Sequence, residues 1–573
     1  MSNQNPTERA EEEPNTNGNL TFTRRTAMAL LGVGATAGVA SSGASADHGA
    51  KFDPTRRWNQ HVDAQNHDLE NLHSVDTEHV FTAARTADRI VWQDDDGTYH
   101  ADGRNGGVAS GEEFVPVVQS ALDSLTDGRT HKERVLVAAN ATVGVDDSAQ
   151  TIEVPSYTVL DVPGSIHVEY PKWDSSNILI RAEDESHIEI PRLTVTGAPW
   201  MAIRLRSCSD IRLDDIEVLF ARDSDANDAL RIDNGGESEE RSTDIQIGSA
   251  YIENGTQHSV ETYGVDRIQI QQVMAKYQYG CAVLLNDTSD ATIDSIMGYN
   301  PVDESVGAEP QSEDDLTNAS SRYATFRVTY PTNNVSVGQV VSRGAPRGLH
   351  IHSGGTGDIS IGEVTIKDAE TPGVMVTDPN NVVINGGVIK NCTGEGIRVH
   401  AYDPYPGNAR GITLSDLRVY DDQDEPTQAY GIRETGDYVM NNRIVDCDVR
   451  DGGVEANIAV TSESTTVADN VGGGIASGTV TLESGSEPAA RVEGVSEAQD
   501  VTLDLRAKTF DGPDSALAWD HHFAWTGDQW DLVIEWRTDP GEDVTLDYIV
   551  DRPQANIGRY PIQDESSGDG PAT

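Results

Sequence analysis

Nine short phrases between Ile203 and Thr435 repeat the pattern apolar–x–apolar–x. The first x of each reads Arg204, Arg231, Glu261, Leu284, Arg327, His350, Met375, Arg398 and Arg433. The second reads Arg206, Asp233, Tyr263, Asn286, Thr329, His352, Thr377, His400 and Thr435. Six of these eighteen positions are Arg, three are His and two are acidic, in a chain with 41 Lys+Arg against 95 Asp+Glu. If the phrases are strands stacked in register, these side chains share one outward wall. The guanidinium is a planar fork that matches carboxylates. The wall therefore suits an acidic, uronic-acid polysaccharide, with Arg204, Arg206, Arg231, Arg327, Arg398 and Arg433 as carboxylate binders. Tyr263 and Tyr402 are placed to stack on sugar rings. The competing reading is an arginine ladder paired with acidic neighbours, which only keeps the sheet soluble.

Two chemistries fit such a wall. In β-elimination a cation neutralises the uronate carboxylate, the adjacent C–H becomes acidic, and a base removes the proton. His350, His352 and His400 are the base candidates, flanked by Arg327 and Arg398. Hydrolysis instead needs two carboxyls. Asp233 and Glu261 on adjacent coils are expected roughly 8 Å apart, inside the inverting range of about 6.5–9.5 Å. A third constellation, Asp223, Asp225 and Asn227, has D-x-D-x-N spacing, and calcium is the cation that such hard oxygen ligands take. No Gly follows and no Glu closes the loop, so it is not an EF-hand, and an acidic solvated turn is the plainer account.

The elements that must position these residues are short strands. From about Asn177 to Ala468 an apolar-x-apolar strand, a polar turn and a second alternating strand recur, most first strands lying 23 to 35 residues apart. Second strands include Ile211-Arg212-Leu213, Ile268-Gln269-Ile270 and Ile359-Ser360-Ile361. Such strands bury a face only by stacking coil on coil, with neighbours about 4.8 Å apart. The expected fold is an all-β right-handed parallel β-helix of roughly ten coils. Propeller blades, at about 40–50 residues, do not match the spacing. Pro301 to Ser321 and Ala401 to Arg410 read as loops thrown out from the stack. Phe114, Val117, Val118, Ala121 and Leu122 follow helical spacing, so Glu112 to Leu125 is an amphipathic helix. Longer strands with Trp519, Trp525, Trp530 and Trp536 follow the coils and predict a small antiparallel β-sandwich over 476–560, its Trp cluster serving the core rather than a sugar. Residues 47–111 are expected to be partly irregular and 561–573 a disordered tail.

The net charge of −54 excludes binding to bare nucleic acid or an anionic membrane by bulk electrostatics. Cys208, Cys281, Cys392 and Cys447 lack metal-ligand spacing and sit in apolar patterns as small buried residues. No stretch qualifies as a membrane span, and the oligomeric state is left as monomer or homotrimer.

The helix, Arg134-Val135-Leu136-Val137 and Thr151–Leu160 in that order resemble the start of the pectate-lyase-like superfamily, which includes many phage tailspikes. That resemblance implies a helix capping the open end of the stack and a carbohydrate-active or adhesive protein. Asn227-Asp228-Ala229-Leu230-Arg231-Ile232 is similar to the D-D-C-I-x-I phrase of polygalacturonase-type hydrolases, and Gln257-His258-Ser259-Val260-Glu261-Thr262 to their G-H-G-I-x-I. By that resemblance Asp228 is the acid and His258 its neighbour. Asn227 and Met201 stand where that family has two further Asp. Val62 to Leu72 looks like a segment of phage and halovirus tail fibres. Thr23-Arg24-Arg25-Thr26, the apolar run Ala27 to Ala40 and Ala44-Ser45-Ala46 resemble a twin-arginine export signal over 1–46. Seven Lys against many Arg and acids resembles haloarchaeal composition; above about 1 M salt the Debye length is near 3 Å, so these charges repel only weakly. Together these imply a secreted or cell-surface protein.

Overall fold

The computed structural model describes residues between 87 and 551, apart from 105, 149, 170–177, 222–226, 236–239, 256, 301–323, 402–408 and short stretches after 473. The export signal, the tail-fibre-like segment, the Pro301 to Ser321 loop, residues 402–408 of the second expected loop with Tyr402, and Asp223 and Asp225 lie outside the described residues.

Strands from Arg89 to Ala468 form one sheet whose pairings are parallel apart from the first two. Along the first-strand face Arg181 pairs Arg204, then Arg231, Glu261, Leu284, Arg327, His350, Met375, Arg398 and Arg433 in turn. This is the register expected from the apolar alternation. The intervening residues, such as Ile203, Ile232, Val283, Phe326, Leu349, Val376 and Ile397, are buried in one continuous apolar core. A slip of one residue would turn every one of them outward, so burial fixes the register strongly. The chain is a parallel β-helix.

Its corners explain the Asn and Asp that separate the strands. Asp210, Asp244, Arg267, Asp290, Asn334, Asp358 and Asn381 all have φ between 52 and 58° and stack rung upon rung. Asn and Asp tolerate this left-handed conformation because their short polar side chains bond locally. Here they bond along the stack: Asn334 Nδ2 donates to Asp290 Oδ1 and Asn381 Nδ2 to Asp358 Oδ1, each at 3.1 Å.

The helix Phe114–Asp123 is shorter than expected, since Glu113 is extended and Ser124 closes its last turn. Its apolar side is buried in the same core. Before it, Arg89–Gln93, Tyr99–Gly103 and Gly106–Gly111 form an antiparallel meander within the segment expected to be partly irregular. Val91, Tyr99 and Ala101 alternate inward and supply its buried face. After the coils, two three-stranded antiparallel sheets share a separate apolar cluster against which Trp519, Phe523 and Trp536 pack. All four cysteines are buried free thiols. Among the described residues no helix is long and apolar enough to cross a membrane.

Candidate functional site

The wall divides into two electrostatic regimes. At its N-terminal end the arginines are paired with carboxylates. Arg204, Arg206 and Arg231 all converge on Asp233, at 2.9, 3.2 and 2.9 Å. Burial pushes the Asp233 carboxyl up, but the guanidiniums of Arg204 and Arg231 outweigh it and hold it below the usual carboxylate range. Asp233 is therefore an ionised hub held by three guanidiniums. Arg206 also meets Glu183, and Arg181 pairs with Glu153. For these rungs the ladder reading is the one the structure supports. Arg433, near the other end, pairs with Glu395 at 3.2 Å and lies 4.4 Å from the Tyr430 ring centroid.

Beside the hub, Asp228 meets His258, its neighbour by the motif resemblance, and also Glu261, which the sequence reading had paired with Asp233. Arg231 Nη1 donates to Glu261 Oε2 at 2.6 Å and to Asp228 Oδ2 at 3.3 Å, and the His258 backbone N–H donates to Asp228 Oδ1. Asp228 is fully buried; that burial, with the Glu261 charge and a hydrogen bond to Glu261, raises its carboxyl well above the ordinary range. Asp228 is thus biased toward its protonated form. His258 Nδ1 accepts from the Cys281 backbone N–H at 3.0 Å, which leaves Nε2 to carry the proton of the neutral ring. Burial lowers the imidazole to about 4, with Arg327 and Arg231 pushing the same way against Glu261.

The middle of the wall is different. Arg327 is half-buried, its Nε has no hydrogen-bond partner, and among the described residues no carboxylate pairs with it. One rung on, His350 is 3% exposed and neither ring nitrogen finds a partner. Its ring meets that of His352 edge-on at 5.4 Å. Burial, then Arg347 and Arg327, hold His350 well below its ordinary pKa; burial and the same two guanidiniums lower His352. Both imidazoles are neutral beside cations. His352 Nδ1 lies 2.8 Å from Ser353 Oγ. Two rungs beyond His350, Arg398 has a buried Nε without a partner, and burial and Arg398 lower His400, which bonds Thr435 Oγ1 at 2.7 Å.

Two residues here were missed by sequence reasoning. Arg347, 6% exposed, lies in the turn feeding Leu349–His352, outside the alternating pattern that identified the others. Tyr330 follows Phe326–Thr329 at φ 53°, is 55% exposed, and meets Tyr263 edge-on at 6.2 Å. An aromatic in place of Asn or Asp at a corner was the signal available. Asn227, the one described member of the calcium-like triplet, donates its backbone N–H to the Trp200 carbonyl. Among the described residues no group of three His, Cys, Asp or Glu side chains could hold a metal.

No family model and no curated protein matches the chain. Solved structures with similar folds include the A-module of the mannuronan C-5 epimerase AlgE6 of Azotobacter vinelandii, at 11% identity and TM-score 0.41 over 63% of this chain and 95% of that one. ORF18 of Geobacillus virus E2 is similar at 11% identity and TM-score 0.38, covering 79% of this chain and 78% of that one. The receptor-binding tailspike of bacteriophage Det7 is similar at 12% identity and TM-score 0.35, covering 72% of this chain and 84% of that one.

Proposed function

We propose that this exported protein binds a uronic-acid polysaccharide along the first-strand wall and cleaves it by β-elimination. The observation that carries this reading is Arg327, a half-buried guanidinium with no carboxylate partner among the described residues, beside two neutral histidines. A substrate carboxylate is the partner that its fork lacks. With that carboxylate neutralised, the C5 proton becomes acidic, and His350 or His352, held unprotonated, accepts it. The C5 electron pair forms the C4=C5 bond as the C4–O4 bond breaks. The new imidazolium lies on the same wall and returns its proton to O4. Tyr263 and Tyr330 offer ring faces for neighbouring sugars.

The carboxyl geometry argues against the hydrolytic alternative. Asp228 and Glu261 hydrogen-bond directly to one another, whereas retaining and inverting glycosidases hold their carboxyls about 5–5.5 and 6.5–9.5 Å apart. The test is incubation with polygalacturonate and alginate at high salt. Product with ultraviolet absorbance from a new C4=C5 bond supports elimination. New reducing ends without that absorbance, C5-inverted polymer, or retention without any change would each replace it, by hydrolysis, epimerisation or adhesion respectively.

A further inference from the structure

The last outward position of the second strands forms another column on a different face. Lys276 pairs Tyr299, then Arg343, Lys367, Lys390 and Tyr420 in unbroken register. The chain has seven lysines, and three of them are in this column. With neighbours about 4.8 Å apart, the six rungs span about 24 Å. The cations and rings interleave. Lys276 lies 5.1 Å from the Tyr251 ring centroid, Arg343 5.6 Å from Tyr299, and Lys390 5.3 Å from Tyr420, which Arg418 approaches at 4.6 Å.

Carboxylates are present but outnumbered. Glu253 is 3.7 Å from Lys276, Asp368 is shared by Arg343 and Lys367 at 3.8 and 3.6 Å, and Asp422 is 2.9 Å from Lys390. Lys276, Arg343, Lys367 and Lys390 thus face three carboxylates, and Arg418 beside them faces Asp448, which Arg450 already pairs, in a molecule whose net charge is −54. Tyr299 is 38% exposed, and the Arg343 and Lys367 side chains are 49% and 39% exposed. Alongside runs a half-buried row, Met297, Val341, Thr365 and Val388, apolar apart from the threonine. Charge excess, open rings and an apolar strip in one line fit a polymer that carries both carboxylates and sugar faces.

We propose that this column is a second, non-catalytic track for acidic polysaccharide, which holds long chains while the first-strand wall acts on them. It takes the polymer class from the proposed function, but not the site or the chemistry. The test compares the full chain with a variant carrying Lys276→Gln, Lys367→Gln and Lys390→Gln, and with one carrying Lys→Arg at the same positions. Retention on long alginate and polygalacturonate is measured beside turnover of short oligouronates and the thermal midpoint. The Gln variant is expected to lose at least about tenfold in retention, or about 1.4 kcal/mol. Its oligouronate turnover and midpoint stay unchanged, and the Arg variant retains the polymer. Unchanged retention overturns the track. So does a lowered midpoint in the Gln variant with retention intact, which marks a structural ladder, or binding of anionic lipid vesicles but not polyuronates. Track-dependent retention without cleavage leaves this inference standing while removing the proposed reaction; cleavage with track-independent retention does the reverse.

Discussion

Replacing Arg327 by Gln removes the guanidinium on the rung before His350, which among the described residues has no carboxylate partner. As C5 loses its proton, a second negative charge develops on the uronate. At a contact distance of about 4 Å and an effective dielectric near 20, one guanidinium stabilises that extra charge by about 4 kcal/mol. Arg327 is only half-buried, so screening leaves about 2–4 kcal/mol of it. That corresponds to a fall in kcat of about 30- to 1,000-fold. The ground-state carboxylate also loses a charge-assisted hydrogen bond of about 1.5 kcal/mol, so KM rises by roughly tenfold. Arg327→Lys keeps the charge without the planar fork and is expected to fall between the two. The assay is the initial rate of ultraviolet absorbance at saturating polymer, with denaturant midpoints measured in parallel. Among the described residues no carboxylate is orphaned by the change, so stability is expected to move by less than about 1 kcal/mol. A kcat within about threefold of the parent, for a folded variant, would refute the assignment of Arg327 to charge neutralisation.

Three further outcomes follow from the same electrostatics. Since burial and neighbouring arginines depress His350 and His352, both stay unprotonated below pH 6.5, so the acid limb of kcat/KM is expected below that value; a limb at or above 6.5 assigns the base elsewhere. Asp233→Asn leaves three guanidiniums without their shared partner, and because these side chains are 20–25% exposed the cost is discounted to about 2–4 kcal/mol at pH 7. Asp233 has a depressed pKa in the folded state, so its contribution is present above the ordinary carboxylate pKa and is lost as pH falls through the folded value; the denaturant midpoints of parent and variant should converge in acid, and parallel curves contradict the hub. Asp228 has the opposite sign: with its folded pKa raised, the cost sets in as pH rises through the ordinary carboxylate value, where the unfolded chain ionises first, and levels off above the folded value. Asp228→Asn removes that cost and is expected to lose no more than about 1 kcal/mol at pH 7. A loss above about 3 kcal/mol in that variant's denaturant midpoint would show Asp228 to be charged.

What could be read from the sequence was whatever repeats with period two. Ile203 and Leu205, Leu349 and Ile351, Ile397 and Val399 fix which way each strand faces, because the apolar set must enter the core. Once that is known, Arg204, Arg231, Arg327 and His350 share a column before any coordinates are consulted, and the observed pairings follow it. Chemistry inside that column was less legible, since alternation gives direction but not reach. Arg204, Arg206 and Arg231 have stems long enough to fold along the sheet, and they close on Asp233 instead of projecting toward solvent. Arg327 escapes that fate for a reason visible in its own column: the rung before it holds Leu284, 4% exposed, and the rung after it His350. Neither neighbour offers a carboxylate. Outside the strands the period fails, and with it the reading. Asp228, His258 and Arg347 lie in turns whose geometry depends on contacts between coils, such as the His258 N–H to Asp228 bond thirty residues away in sequence. The only clue to Asp228 and His258 was a motif resemblance, and Arg347 had none. A wall built by periodicity and tuned by aperiodic turns can keep its fold while the turn residues change, and this separates the fold seen here from the chemistry that any one chain performs on it.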